Sequence, residues 1–202
     1  MPGDADVLAE FLTGEDWLFF AGGSGPGADR IREQVAAGDY DNDRTRAFWI
    51  VTDTGTEAGL IRLFDLGDNT PLFDLRVRAA YRGAGLGTAA LRWLTDYLFT
   101  EFPDIDRIEG TTRQDNRAMR RTFIRCGYVK EAHWRRSWAG RDGTLYDAIG
   151  YGILRSDWGD RHGHAPRLGR RAVSGAAGYD TDGTSVSLWR QQCSIGVATA
   201  GG

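Results

Sequence analysis

The sequence predicts an α+β domain from three observations: two helical patterns open the chain, short β-prone runs follow, and helix and strand then alternate before two closing strands. At 202 residues, one domain can bury a sizeable core. That domain is expected to span residues 1–158. Residues 159–202, rich in Gly, Arg, Ser and Ala without periodicity, read as a weakly ordered tail.

Each element has its own local reason. Val7, Leu8, Phe11 and Leu12 recur at helical spacing, and Gly14 supplies a stop. The stretch AGGSGPG leads to a second helix, capped by Asp29, carrying Ile31 and Val35 and ending near Gly38. These helices and their connection are expected to form one wall of a substrate cleft. Ala47 to Val51 and Leu60 to Phe64 are β-prone runs joined as a hairpin, and Leu72 to Val77 is a third strand. Beyond a glycine-rich loop, Leu86, Ala90, Leu91, Leu94 and Leu98 draw a wide apolar helical face that must end before Pro103. Arg107 to Thr112 is a strand, and Asn116 to Cys126 is an amphipathic helix closed by Gly127. Tyr128 to Trp138 and Leu145 to Leu154 are the last strands. A strand that leads through a helix to another strand implies a parallel step.

Composition narrows the function classes. The 25 basic against 28 acidic residues leave a formal charge of −3, which offers no broad footprint for nucleic acid and mildly favours a cationic substrate. Two isolated cysteines make neither a disulfide framework nor a metal knuckle, so no metal site is expected. The acidic opening MPGDADVLAE is unlike a signal peptide, and no apolar run approaches the ~20 residues that cross a bilayer. A cytoplasmic protein without membrane partners is the expectation; a homodimer is compatible with it.

The chemistry concentrates in Arg82, Gly83, Ala84, Gly85, Leu86, Gly87 and Thr88, between a strand and a helix. The first N–H groups of a helix lack intrahelical partners, and glycine lets a phosphate come close to them. The helix dipole and Arg82 add positive potential, so a diphosphate can bind here without a metal ion. A Walker loop would need a lysine before Thr88, and a dinucleotide fold would need GxGxxG early in the chain; neither pattern is present.

The stretch FDLRVRAAYRGAGLGTAALRWL resembles the acyl-CoA-binding motif of the GNAT superfamily of N-acetyltransferases, with Arg82, Gly85 and Gly87 on its key positions. NRAMRRTFIRCGYVKEAHWR is similar to the second signature of the RimJ/RimL-like branch: Asn116, Gly127 and Tyr128 match it, and Glu131 and Arg135 fit the next strand. GYGILRSDW is similar to that branch's last strand. The resemblance implies a mixed, splayed central sheet of about six to seven strands flanked by helices, with acetyl-CoA as co-substrate. It implies that the backbone of Leu75, Arg76, Val77 and Arg78 pairs with the pantetheine and that Gly83 to Thr88 hold the pyrophosphate. Asn116, and the positions now held by Met119 and Phe123, would lie near the pantetheine.

An amine attacks a thioester only when neutral, which at pH 7 holds for about a tenth of α-amines and about one lysine in 2,500. A carboxylate can take the proton. Glu109, at an acidic position common in the resembled branch, is the first candidate, and Asp74 the second; Asp74 can instead pair with Arg76. His133 ranks below both. Many family members place a tyrosine where this chain has Phe123, and the branch often has serine where it has Met119, so no dedicated proton donor for the leaving thiolate is evident. Cys126 fits core packing. The resemblance implies transfer to a peptide or protein amine; a small-molecule amine of aminoglycoside or polyamine type, or a non-catalytic acyl-CoA-binding module, are the alternatives. Trp17, Phe19 and Phe20 are candidates for the acceptor pocket or for aromatic core.

Overall fold

The computed structural model describes residues 2–20, 25–162 and 187–190. Among these residues the chain runs α1 (Pro2–Thr13), α2 (Ala28–Ala36), β1 (Arg46–Val51), β2 (Glu57–Phe64), β3 (Leu72–Val77), a single 3-10 turn (Ala79–Tyr81) and α3 (Leu86–Glu101). It continues through β4 (Arg107–Arg113), α4 (Arg117–Arg125), β5 (Val129–Ala139), β6 (Leu145–Leu154), α5 (Arg155–His162) and β7 (Ser187–Arg190). The mixed α+β class and the strand number agree with expectation.

The strands form two sheets, in the orders β3-β2-β1-β7 and β4-β6-β5. Every ladder is antiparallel. The expected parallel pairing of the strands that flank α3 is absent, because β3 and β4 belong to different sheets and splay apart. That splay is what makes a cleft.

Sheet β3-β2-β1-β7 is covered on both faces, which is why β1 and β2 read as nearly continuous apolar runs. On one face Phe48, Ile50, Ile61 and Leu63 pack with Leu91, Leu94 and Leu98 of α3, Phe123 of α4, and Ile149, Tyr151 and Ile153 of β6. On the other, Ala47, Trp49 and Leu60 meet Leu8 and Phe11 of α1 and Ile31 of α2. Tyr128, just after the left-handed Gly127 that closes α4, is buried and shares a 2.9 Å hydrogen bond with Thr95. Burial pushes its phenol well above the ordinary tyrosine range.

Three expectations need correction. Gly27, not Asp29, is the N-cap of α2; Asp29 sits in the first helical turn, where a negative charge favours the helix dipole. The stretch RSDW starts α5 instead of extending β6. The boundary drawn at residues 158 and 159 falls inside α5, and β7 pairs with β1, so the tail is structured in at least those two places. The remainder of that expectation lies outside the described residues. No helix among the described residues is long and apolar enough to cross a membrane.

Candidate active site

A cleft of about 670 Å³ opens between β3 and β4. One wall is the free edge of β3. Arg78 N–H donates to Ala58 O at 2.8 Å, and Val77 lies opposite Gly59. Antiparallel alternation therefore turns the N–H and C=O of Asp74, Arg76 and Arg78 toward β2, and those of Phe73, Leu75 and Val77 toward the cleft. The expected strand-like partner surface is thus the backbone of Leu75 and Val77; the Arg76 and Arg78 amides are used within the sheet. The Val77 carbonyl accepts a 2.8 Å hydrogen bond from Arg82 Nε. The Arg78 side chain leaves the cleft, donating to Glu57 O and lying over the Phe11 ring.

The facing wall is β4, where Gly110, Thr111 and Thr112 line the cleft. Gly110 is required for space: a Cβ there would stand 2.7 Å from Phe123 Cζ and 2.9 Å from Phe73 Cζ. The two rings form the floor of the splay.

The loop before α3 meets the end of this cleft. Gly83 and Gly85 adopt left-handed φ of 85° and 84°, a conformation that costs other residues roughly 1–2 kcal/mol. Gly87 has an ordinary φ, and a Cβ on it would meet open space, so nothing inside the protein requires glycine there. Thr88 and Ala89 both donate to Gly85 O, whereas the N–H groups of Gly83 through Gly87 find no partner among the described residues. Gly83, Gly85, Gly87 and Thr88 line the cleft; Ala84 is exposed beside it, and Leu86 is turned into the core. These unpartnered donors, the start of a 16-residue helix and Arg82 suit a diphosphate.

Helix α4 closes a third side. Asn116 is its N-cap, accepting from Met119 N–H at 3.1 Å and donating to Thr112 Oγ1 at 3.1 Å. Asn116, Met119 and Phe123 all line the cleft, as do Arg121 and Arg125 one turn apart. Cys126 is buried, with Sγ 3.5 Å from Thr88 O, as core packing predicts.

The two candidate bases part company. Asp74 lines the cleft and is paired with Arg76, Oδ2 to Nη2 at 2.7 Å, on the face of β3 opposite Leu75 and Val77. Glu109 does not reach the cleft. Alternation along β4 buries Ile108, Gly110 and Thr112 and leaves Arg107, Glu109 and Thr111 on the other face; Thr111 still borders the cleft, whereas Glu109 is drawn to Arg107. Its carboxylate is 42% exposed and pairs at 3.1 Å with Arg107, which also holds Glu131. His133 is likewise away from the cleft, paired with Asp147 at 2.7 Å.

Residues 17–20 roof the end of the cleft beyond Asp74. Arginines pin this segment. Arg113 donates to Leu18 O at 3.3 Å and lies over the Phe19 ring, while Arg76 lies 4.0 Å from the centroid of Phe20. Arg141, in the β5–β6 turn, reaches Asp16 at 2.5 Å. Among the described residues, neither α1 nor α2 lines the cleft, whereas this segment after α1 does. Sequence reading missed Tyr81, Gly110, Arg121, Arg125 and Trp138. The two α4 arginines carried a signal, their i, i+4 spacing after Asn116; Trp138, placed opposite Tyr146 by the β5–β6 ladder, carried none.

An open-edged strand leading into a helix start with free amides, across a splay from a second sheet, defines an acyltransferase that grips a diphosphate-linked thioester. The chain belongs to the GNAT acetyltransferase family: residues 1–129 match the family profile described as "Acetyltransferase (GNAT) domain". It is an acyl-CoA-dependent N-acetyltransferase. No curated protein matches it by sequence. Among solved structures it is similar to the spermidine N-acetyltransferase of Vibrio cholerae in complex with CoA and spermine, with TM-score 0.69 and 18% identity over 77% of this chain and 92% of that one. A dodecameric form of the Vibrio cholerae enzyme gives TM-score 0.67 and 19% identity over 80% and 94%. A probable acetyltransferase gives TM-score 0.62 and 26% identity over 78% and 90%.

Proposed function

We propose that the protein transfers the acetyl group of acetyl-CoA to the primary amine of a small molecule, by direct attack in a ternary complex in the cytoplasm. The observation that carries this reading is the cleft itself: an unpaired β3 edge runs straight into free amides at the start of α3, and residues 17–20 roof its other end. The resemblance of Asn116, Gly127 and Tyr128 to the RimJ/RimL-like signature supports placing the chain in that branch.

In this reading the diphosphate takes the free N–H groups of Gly83 to Gly87 together with Arg82, and the pantetheine amides bond to Leu75 and Val77 as an added strand. Arg82 must then release the Val77 carbonyl. Phe73, Phe123 and Met119 give the thioester a dry floor. Asp74, the carboxylate lining the cleft, takes the proton of the incoming ammonium directly or through water. The neutral nitrogen then attacks the carbonyl carbon, the C–S bond breaks, and CoA leaves as thiolate. Phe123 and Met119 offer no proton, so water or the acceptor's second proton neutralises the sulfur.

A small amine is favoured over a peptide because residues 17–20 roof the acceptor end and this segment is tied to the body of the fold, Leu18 O by Arg113 and the adjoining Asp16 by Arg141. The spermidine acceptor of the Vibrio cholerae relatives fits the same preference. Release of CoA thiol from acetyl-CoA with a panel of small amines and free-N-terminal peptides tests the reading. Turnover on small amines but not on peptides is expected; turnover on peptides alone overturns the small-acceptor part, and CoA binding without any turnover would make the protein a binding module.

A further inference from the structure

Resting on the small-amine reading above, we infer that the acceptor is a slender monoamine with an uncharged, largely apolar body, of aralkylamine or alkylamine type, and that polycationic amines are rejected. The acceptor end is walled by Trp17, Phe19, Phe20 and Trp138, side chains that match an apolar body. The carboxylates around it are already committed. Asp74 is held by Arg76 at 2.7 Å, Asp115 by Arg113 at 2.7 Å and Asp16 by Arg141 at 2.5 Å. Glu15 accepts from Ala79 N–H at 3.0 Å and faces Arg82 at 3.6 Å. On the β5–β6 hairpin, Asp147 is taken by His133 and the Arg136 N–H, and Asp142 by Thr144; neither lines the cleft.

Among the described residues that line the cleft, one carboxylate, Asp74, stands with Arg76 on β3, while Arg82 stands at the loop and Arg121 and Arg125 on α4. The loop and α4 guanidinium groups suit a diphosphate ester, whereas the acceptor end, among the described residues, offers a second ammonium group only carboxylates that already have partners. With acetyl-CoA filling the loop end, a polyamine that placed one nitrogen beside Asp74 would set its remaining charges against Trp17, Phe19 and Phe20, whose rings already carry Arg76 and Arg113, in a partly enclosed space where like charges are poorly screened. A monoamine brings one cation, which is lost when it reacts. The acidic net charge of the whole chain does not describe this site, because the carboxylates around it already have partners within the fold.

The test uses the full chain, acetyl-CoA and two probes, phenethylamine and spermidine, with CoA-thiol release as readout. The kcat/KM for phenethylamine should exceed that for spermidine at least tenfold. Raising salt should increase the spermidine value and leave phenethylamine nearly unchanged, since screening relieves repulsion. Leu18→Glu, which adds a carboxylate at a 57% exposed position lining the cleft, should raise spermidine relative to phenethylamine by about two- to fivefold. Spermidine preferred over phenethylamine, or a spermidine rate that falls with salt, overturns the inference while the small-amine reading stands. Thiol release with neither probe nor any other small amine overturns both.

Discussion

Arg82 donates through Nε to the carbonyl of Val77 at 2.8 Å, so the guanidinium expected at a bound diphosphate closes the strand edge that a pantetheine would use. Its other nitrogen faces Glu15 at 3.6 Å, which ties the cofactor loop to the segment that roofs the acceptor end. One side chain therefore stands at the junction of the two proposed subsites.

Replacing it should separate binding from chemistry. Arg82→Gln is expected to raise KM for acetyl-CoA about tenfold or more, the loss of a charge-assisted contact to phosphate, with a smaller change in kcat. Because Arg82 is half exposed, thermal stability should move little. Steady-state kinetics and a melting curve check both; an unchanged KM would remove Arg82 from the site.

Gly85 and Gly87 should respond differently. Gly85→Ala places a side chain at φ 84° and is expected to cost about 1 kcal/mol of stability as well as CoA affinity. Gly87→Val adds a Cβ that meets no atom of the protein within 4 Å, so its backbone constraint is mild and the main effect should be weaker CoA binding. Calorimetric titration with CoA beside denaturant melts distinguishes them. Gly87→Val binding CoA like the parent would mean that the diphosphate lies elsewhere.

Asp74 and Glu109 give the sharpest contrast. Asp74→Asn should lower kcat/KM by about 10²- to 10⁴-fold if it is the proton acceptor. Glu109→Gln, which only loosens the exposed pair with Arg107, should stay within about twofold. Parallel assays of the two variants decide between them, and the reverse ranking would restore Glu109.

Asp115 supplies a pH signature. Its carboxyl is held below the usual carboxylate range by hydrogen bonds from Arg113. A depressed folded-state pKa means stabilisation that is present above the unfolded value, about 3.9, and lost as pH falls through the folded value. The melting temperature of the parent should exceed that of Asp115→Asn near pH 7, and the gap should close in acid, below about pH 4. A gap that persists unchanged into strong acid would show that the ion pair is not its source.

Much of the fold was legible because it depends on near neighbours. The apolar stripe from Leu86 to Leu98, the stop before Pro103 and the Gly127 closure of α4 are written in spacing and in residue type. So is the glycine-rich turn that leads into α3. What escaped were relations between faces: alternation along β4 sends Glu109 outward next to an inward Gly110, and the splay of β3 from β4 replaces the expected parallel pair. Trp138 enters the cleft through the β5–β6 register, which no local pattern announces.

By itself, the sequence determined the element order and the anion-ready helix start, since free amides at the beginning of a helix are a property of consecutive residues. Only the tertiary structure decided which carboxylate faces the cleft and which are neutralised. Arg141 meets Asp16 across 125 positions, and such pairings set the local field while leaving the net charge untouched.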